Sequence, residues 1–184
     1  MRFKALLVAT LLIASALGFV VCIKHAPIGF RSWGVFLNMS NSMSRGWYRI
    51  EKRPFVQRGD TLLVCLPRTI GEFAVRRSYV RRGTCPGKTG RIGKPVRAIA
   101  GDTVVVDARG VTVNQALPIM APIQLRDRRG RRMHMALGRH VLQPNECFLL
   151  STHSVHSYDS RYFGPVRCTP PYYVLRAALP IEEK

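Results

Sequence analysis

The chain has 184 residues and a formal charge of +19, from 29 Lys and Arg against 10 Asp and Glu. That length fits one domain with a core of its own. With no internal repeat and no linker along it, a two-domain arrangement is excluded. The charge implies an anionic partner, either nucleic acid or an anionic membrane face, and it is almost all arginine, because the only lysines are Lys4, Lys24, Lys52, Lys88, Lys94 and Lys184.

Ala5 to Ile23 is apolar or small throughout and carries no charge. As a helix it would be roughly 28 Å long, close to the hydrocarbon thickness of a bilayer. Arg2 and Lys4 precede it, so the positive-inside rule puts the N-terminus in the cytoplasm and the rest outside. The division expected is therefore a membrane anchor over residues 1–24 and an extracytoplasmic domain over 25–184. In a bacterial cell this is a single-pass protein of the inner membrane facing the periplasm. The alternative is a signal peptide cleaved after Ala14-Ser-Ala16, but the apolar stretch continues well past that site. Both deliver the same domain to the same compartment.

Beyond the anchor the chain changes to short β-type runs separated by turns. Thr61–Leu66, Val96–Ala100, Thr103–Val106, Val111–Val113, Cys147–Leu150 and Tyr172–Leu175 are rich in β-branched, aliphatic and aromatic residues. Gly101-Asp102 and Asp107-Ala-Arg-Gly110 are turn signals, the second predicting a hairpin. No long stretch has a helical apolar period, so the fold class expected is all-β: one β domain following an N-terminal transmembrane helix.

Ser42 lies in the run Asn38-Met-Ser-Asn-Ser42-Met-Ser-Arg-Gly46-Trp-Tyr48. A serine hydroxyl is a weak nucleophile and needs a base within hydrogen-bond reach. Lysine can serve only if held neutral; unperturbed, fewer than about one in a thousand are neutral at pH 7. Burial on an apolar strand, away from partner charges, lowers the pKa. Lys4, Lys24 and Lys184 lie in flanks, Lys52 sits between Glu51 and Arg53, and Lys88 is in a Gly-rich loop. Lys94 opens Lys-Pro-Val-Arg-Ala-Ile-Ala-Gly-Asp102, the most strand-like region, and is the candidate base.

Three segments together resemble the boxes of the signal peptidase I superfamily, the membrane-anchored Ser/Lys endopeptidases. Ser40-Asn-Ser42-Met43 is similar to the nucleophile box, Lys94 through Gly101-Asp102 to the general-base box, and Ser157-Tyr-Asp159-Ser-Arg161-Tyr-Phe-Gly164 to the third box. Asn38, Ser40, Ser42, Gly46 and Tyr48 fall on the nucleophile pattern of the conjugative-transfer signal peptidases of the TraF type, although Ser44 stands where that pattern has proline. Gly83-Thr-Cys85-Pro86 is similar to that branch as well.

The resemblance implies that Ser42 attacks the scissile carbonyl while neutral Lys94 takes its proton. It implies that the Ser40 hydroxyl and the Ser42 backbone N–H bind the oxyanion, that Ser157 orients Lys94, and that Asp159 and Arg161 form an ion pair fixing the third segment. The implied substrate is a membrane-bound precursor, a pilin-like one for a conjugation apparatus, sometimes with cyclisation; general leader-peptide removal is the alternative. No cofactor and no metal are implied.

Competing readings accompany each residue. Ser40 and Ser42 can be turn residues, Lys94 a solvated edge lysine, and Asp159–Arg161 a purely structural pair. His153, His156 and Asp159 suggest a zinc site or, with Ser42, a triad, but the stretch reads as a loop. The arginines Arg76-Arg77, Arg81-Arg82 and Arg126-Asp-Arg-Arg-Gly-Arg-Arg132 read as a solvated face resting on an anionic lipid bilayer. Nucleic acid is not expected, since no aromatics interleave with them. A non-enzymatic basic β-domain is the reading of a different class. Cys65, Cys85, Cys147 and Cys168 permit up to two disulfides, in three connectivities.

Overall fold

The structure is a computed structural model, described here for residues 34–181. The expected anchor over 1–24 therefore lies outside the described residues. Among those described, no helix is long and apolar enough to cross a membrane.

Ten strands among the described residues form two antiparallel sheets: β1 (Val35–Asn38), β2 (Gly46–Arg53), β3 (Thr61–Val64), β4 (Ile92–Ile99), β5 (Thr103–Asp107), β6 (Gly110–Val113), β7 (Gly138–Val141), β8 (Glu146–Leu149), β9 (Val166–Arg167) and β10 (Tyr172–Pro180). Seven pair in the order β1-β2-β10-β3-β4-β8-β9, and three in the order β6-β5-β7. The expected hairpin is present, with Asp107 opposite Gly110. Every predicted strand lies on an observed one, and the domain is mostly β.

Two cores result. Leu62, Leu66, Val96, Leu149, Val166 and Val174 fill one; Ala98, Val104, Val106, Val111, Phe148 and Leu150 fill the other. Strand alternation sends Leu149 to the first and its neighbours to the second. Strand β4 reaches both because its register against β8 slips between Val96 and Ala98. An extra residue at a bulge turns the following side chains to the opposite face.

Among the described residues two short helices depart from the all-β expectation: α1 (Arg68–Arg76) and α2 (Ser160–Phe163). Helix α1 is too short to show a period in the sequence. It buries Gly71 and Ala74, and a Cβ on Gly71 would come within 3.1 Å of the Pro86 carbonyl oxygen. The turn that it packs on is tied back by the Cys65–Cys85 disulfide, which spans 20 residues. Closing a loop of that size contributes on the order of 3 kcal/mol. Among the described residues one disulfide forms: Cys147 and Cys168 are buried free thiols.

The arginine run 126–132 is also more ordered than a solvated face requires. Arg126 and Arg132 bridge as a small hairpin, gathered on the Asp127 carboxylate, which accepts from Tyr79 Oη (2.8 Å), the Arg129 and Arg131 N–H groups and Arg131 Nε (2.7 Å). Its outer arginines, Arg128, Arg129 and Arg132, remain exposed.

Candidate active site

Strands β1 and β2 pair in register up to Asn38 opposite Gly46, and the turn between them carries Ser42. Gly46 is required there: a Cβ would lie 2.4 Å from the Leu179 carbonyl oxygen on β10. The turn is wound around one buried amide. Asn38 Nδ2 donates to the carbonyls of Ser40 (3.0 Å), Met43 (2.9 Å) and Ser44 (3.0 Å). Its Oδ1 accepts from the Ser40 N–H (3.1 Å) and the Ser40 hydroxyl (2.7 Å). Tyr48 Oη also donates to the Ser44 carbonyl, at 2.7 Å. What the structure uses at position 44 is therefore a carbonyl, which serine supplies as well as proline.

Ser40 Oγ and Ser42 Oγ are 2.9 Å apart. Since the Ser40 proton is directed to Asn38, Ser42 is the donor in that contact. Ser42 is half-buried, while Met43 beside it is buried among Tyr48, Leu63 and Leu175.

The second half of the site is on β4. Lys94 is 4 % exposed and lies opposite Leu62 on β3. Its Nζ donates to Ser157 Oγ at 2.7 Å. Burial depresses the Lys94 pKa to about 8, with the Asp159 charge opposing the shift and the Arg161 charge adding to it. At pH 7 about one molecule in ten then carries a neutral amine, roughly three hundred times the fraction of a solvated lysine. Lys52 and Lys88 are exposed by contrast.

Asp159 and Arg161 are both fully buried and joined by Nε to Oδ1 (2.8 Å) and Nη2 to Oδ2 (2.9 Å). Asp159 also caps α2 and accepts from the Ser151 N–H at 3.2 Å. Arg161 donates further to the carbonyls of Pro122 (2.8 Å), Ser157 (3.2 Å) and Ser151 (3.4 Å). No buried side-chain polar atom among the described residues lacks a partner. The Asp159 carboxylate is thus committed to Arg161 and to backbone N–H groups.

Two contacts bring the halves together. A Cβ on Gly93, the residue before Lys94, would lie 2.9 Å from Met43 Sδ, so the glycine admits the side chain that follows Ser42. The Ser151 hydroxyl donates to the Ser42 carbonyl. The six expected residues accordingly fall in two groups, Ser40 with Ser42 and Lys94 with Ser157, Asp159 and Arg161, joined through Met43 and Ser151. Asp102, at the far end of β4, is held instead by Arg58, the Ile99 N–H and Asn114; with the Arg58 guanidinium first among the causes, its pKa falls to about 2. It fixes the β4–β5 turn.

The rival metal site does not assemble. His153 and His156 are exposed, Asp159 is bound to Arg161, and no cluster of potential metal ligands occurs among the described residues. Asn38 and Ser151 were not singled out from the sequence for what they do here. Asn38 stands in the serine pattern, but its clamp depends on folding the turn back onto itself. Ser151 carries no sequence signal.

A half-buried serine in the β1–β2 turn and a buried amine of lowered pKa on β4 are the two groups the structure brings to this region; comparison with known proteins shows the family. The profile of the family described as signal peptidase, peptidase S26, matches residues 3–169. Plasmid transfer protein TraF of Escherichia coli is 35% identical over 150 residues, covering 79% of this chain and 83% of the relative. Conjugal transfer protein TraF of Agrobacterium fabrum (strain C58 / ATCC 33970) is 36% identical over 142 residues, 72% of this chain and 75% of the relative. That of Agrobacterium tumefaciens (strain 15955) is 34% identical over 176 residues, 94% of each chain. The chain is a peptidase-family protein, and the family to which it belongs is signal peptidase, peptidase S26.

Proposed function

We propose that this protein is a membrane-anchored serine endopeptidase that processes an exported precursor, with Ser42 as nucleophile and Lys94 as general base. The observation that carries the reading is the burial of the Lys94 amine on Ser157 beside the Ser42 turn. Ser157 accepts one amine proton and so fixes where the lone pair points. The Ser42 hydroxyl turns from Ser40 towards Lys94, its Oγ bonds to the scissile carbonyl carbon, and Lys94 takes the proton. The oxyanion is met by the Ser42 N–H and by the Ser40 hydroxyl, whose proton turns to it from Asn38 Oδ1, one such donor being worth roughly 3 to 4 kcal/mol in comparable enzymes. Collapse breaks the C–N bond, and Lys94 returns the proton to the leaving amine. The acyl-enzyme is then resolved either by water or by an amine of the same substrate, which would close a ring.

The relatives named for plasmid and conjugal transfer support a role in conjugation, and the substrate we propose there is a pilin-like precursor. General leader-peptide removal is the second reading, favoured by the family description. An anchor over 1–24 would hold the domain over 25–184 at the outer face of the inner membrane. The Cys65–Cys85 disulfide fits an oxidising compartment, and exposed arginines fit anionic lipid.

The test is co-expression of a pilin-type precursor with wild type, Ser42→Ala and Lys94→Ala at matched membrane levels, read by intact mass. Cleavage by wild type alone is expected. A product lighter by one water than the hydrolysed fragment identifies ring closure. Cleavage by both variants sinks the dyad.

A further inference from the structure

Ser151 is 1 % exposed and sits just after β8, in neither group of residues that the catalytic reading requires. All of its polar atoms are engaged. Its hydroxyl donates to the Ser42 carbonyl and accepts from the His153 N–H at 3.2 Å, a bond that leaves the proton free for the carbonyl. Its N–H is held by Asp159 and its own carbonyl by Arg161. The chain of contacts therefore runs from a buried ion pair, through one serine, to the backbone of the residue that carries the candidate nucleophile.

We propose that Ser151 is a positioning residue of the peptidase reaction: its hydroxyl fixes the peptide plane that follows Ser42 and so sets the aim of the Ser42 Oγ. The inference rests on Ser42 being the nucleophile. The physical case is one of asymmetry. Asn38 and Tyr48 hold the carbonyls of residues 40, 43 and 44 and leave that of residue 42 to Ser151. Without the Ser151 hydroxyl, the turn keeps its clamp while the plane beside the nucleophile can rock. Displacements of about 1 Å at a reacting atom cost on the order of 100-fold in rate, and productive geometry is kept only within about 0.5 Å. Because the Lys94 amine is held by Ser157 and the Ser151 hydroxyl is committed to the Ser42 carbonyl, loss of that hydroxyl should leave both the base's titration and substrate affinity as they were.

The experiment uses the full chain in lipid vesicles with a precursor substrate. Wild type, Ser42→Ala, Ser151→Ala and the near-isosteric weak donor Ser151→Cys are compared in kcat, KM, pH profile and Tm. Ser151→Ala is expected to lose about 10- to 100-fold in kcat, with KM within twofold and the pH midpoint unmoved; Ser151→Cys should fall between it and wild type. A Ser151→Ala kcat within twofold of wild type overturns the inference, as does a loss that disappears at a temperature where both proteins are fully folded. If Ser151→Ala does not fold, Ser151→Cys is judged alone, and wild-type kcat in it is again fatal. Persistent cleavage by Ser42→Ala overturns the nucleophile reading and this inference with it. An inactive Ser42→Ala beside a fully active Ser151→Ala overturns this inference only.

Discussion

The Ser42 turn and the Lys94 strand, which meet at Met43 and Gly93, are held by different means. Residues 39–45 cross the surface at the end of two strands, and one neutral amide, that of Asn38, gathers their carbonyls. Lys94 lies inside the sheet, and the segment behind it is fixed by a fully buried ion pair. A nucleophile has to be reached by a polypeptide, so its support must work at a wet surface, where neutral hydrogen bonds are worth about 1 kcal/mol each. A lysine base has to be dry, and the support beside it must not upset its titration. Asp159 raises the Lys94 pKa and Arg161 lowers it, so the pair braces the segment while its two charges oppose one another.

The sharpest way to break this contrast is to make the lysine site apolar. Lys94→Met should cut cleavage by about 100- to 10,000-fold, the range that removal of a general base costs, yet stabilise the fold. The sign follows from the pKa. Lys94 titrates at about 8 in the folded protein and at 10.5 when unperturbed, so the folded state binds fewer protons and wild type gains stability as pH rises from 8 to 10.5. Below pH 8 the whole penalty is present, about 3 kcal/mol. Losing the bond to Ser157 returns about 1 kcal/mol of that. Thermal melts at pH 7 should show the variant higher by several degrees, and the gap should close by pH 10.5. An unchanged or lowered Tm would mean that Lys94 is solvated and not a base of this kind. The same pKa predicts that wild-type kcat/KM climbs with pH to a plateau, with a midpoint near 8.

Breaking the brace comes next in size. Arg161→Met leaves the Asp159 carboxylate buried without its partner, a change of about 3–5 kcal/mol against folding. Asp159→Asn should be comparably destabilising. In any Asp159→Asn protein that still folds, however, the uncompensated Arg161 drives the Lys94 pKa further down, and the pH midpoint of activity moves to lower pH. The double variant should be more stable than the sum of the two predicts, by a coupling readable in denaturant melts. Additive effects would show that the two residues act separately.

These effects mark where the sequence could and could not be read. Six of the strands from Thr61 onwards were legible because they are rich in β-branched and aliphatic residues, whereas the mostly exposed β7 and the two-residue β9 were not. Lys94 was legible because no other lysine has both an apolar setting and no partner charge nearby in the sequence. The three boxes carried the family. Helix α1 was not legible: nine residues held by a glycine against a disulfide-tied turn leave no period. The change of core along β4 depends on one bulge against β8, a contact between residues about 50 positions apart. Ser151 and Asn38 act through backbone carbonyls, which every residue has, so nothing in the partner's identity announces the bond. The extra free thiols follow the same rule: four cysteines constrain pairing only by parity, and the fold pairs two of them.

On the wet side the same test gives smaller numbers. Asn38→Ala removes the clamp, but the freed carbonyls of an exposed turn recover water. A cost of about 1–2 kcal/mol in stability is expected, with kcat lowered about 10- to 100-fold through misplacement of Ser42. Replacement of Ser157 should have the smallest effect and the most informative one, because Ser157 belongs to the dry half but acts by direction. An ammonium donates a stronger hydrogen bond than an amine, so the Ser157 acceptor favours charged Lys94. Ser157→Ala therefore moves the pH midpoint of kcat/KM down, leaving more neutral amine at pH 7. If supply of neutral lysine limited the rate, activity at pH 7 would rise. If the lone pair must also be aimed, activity falls about tenfold at every pH despite the better supply. The second outcome is expected, and a profile that shifts without loss of plateau would reduce Ser157 to a regulator of charge alone.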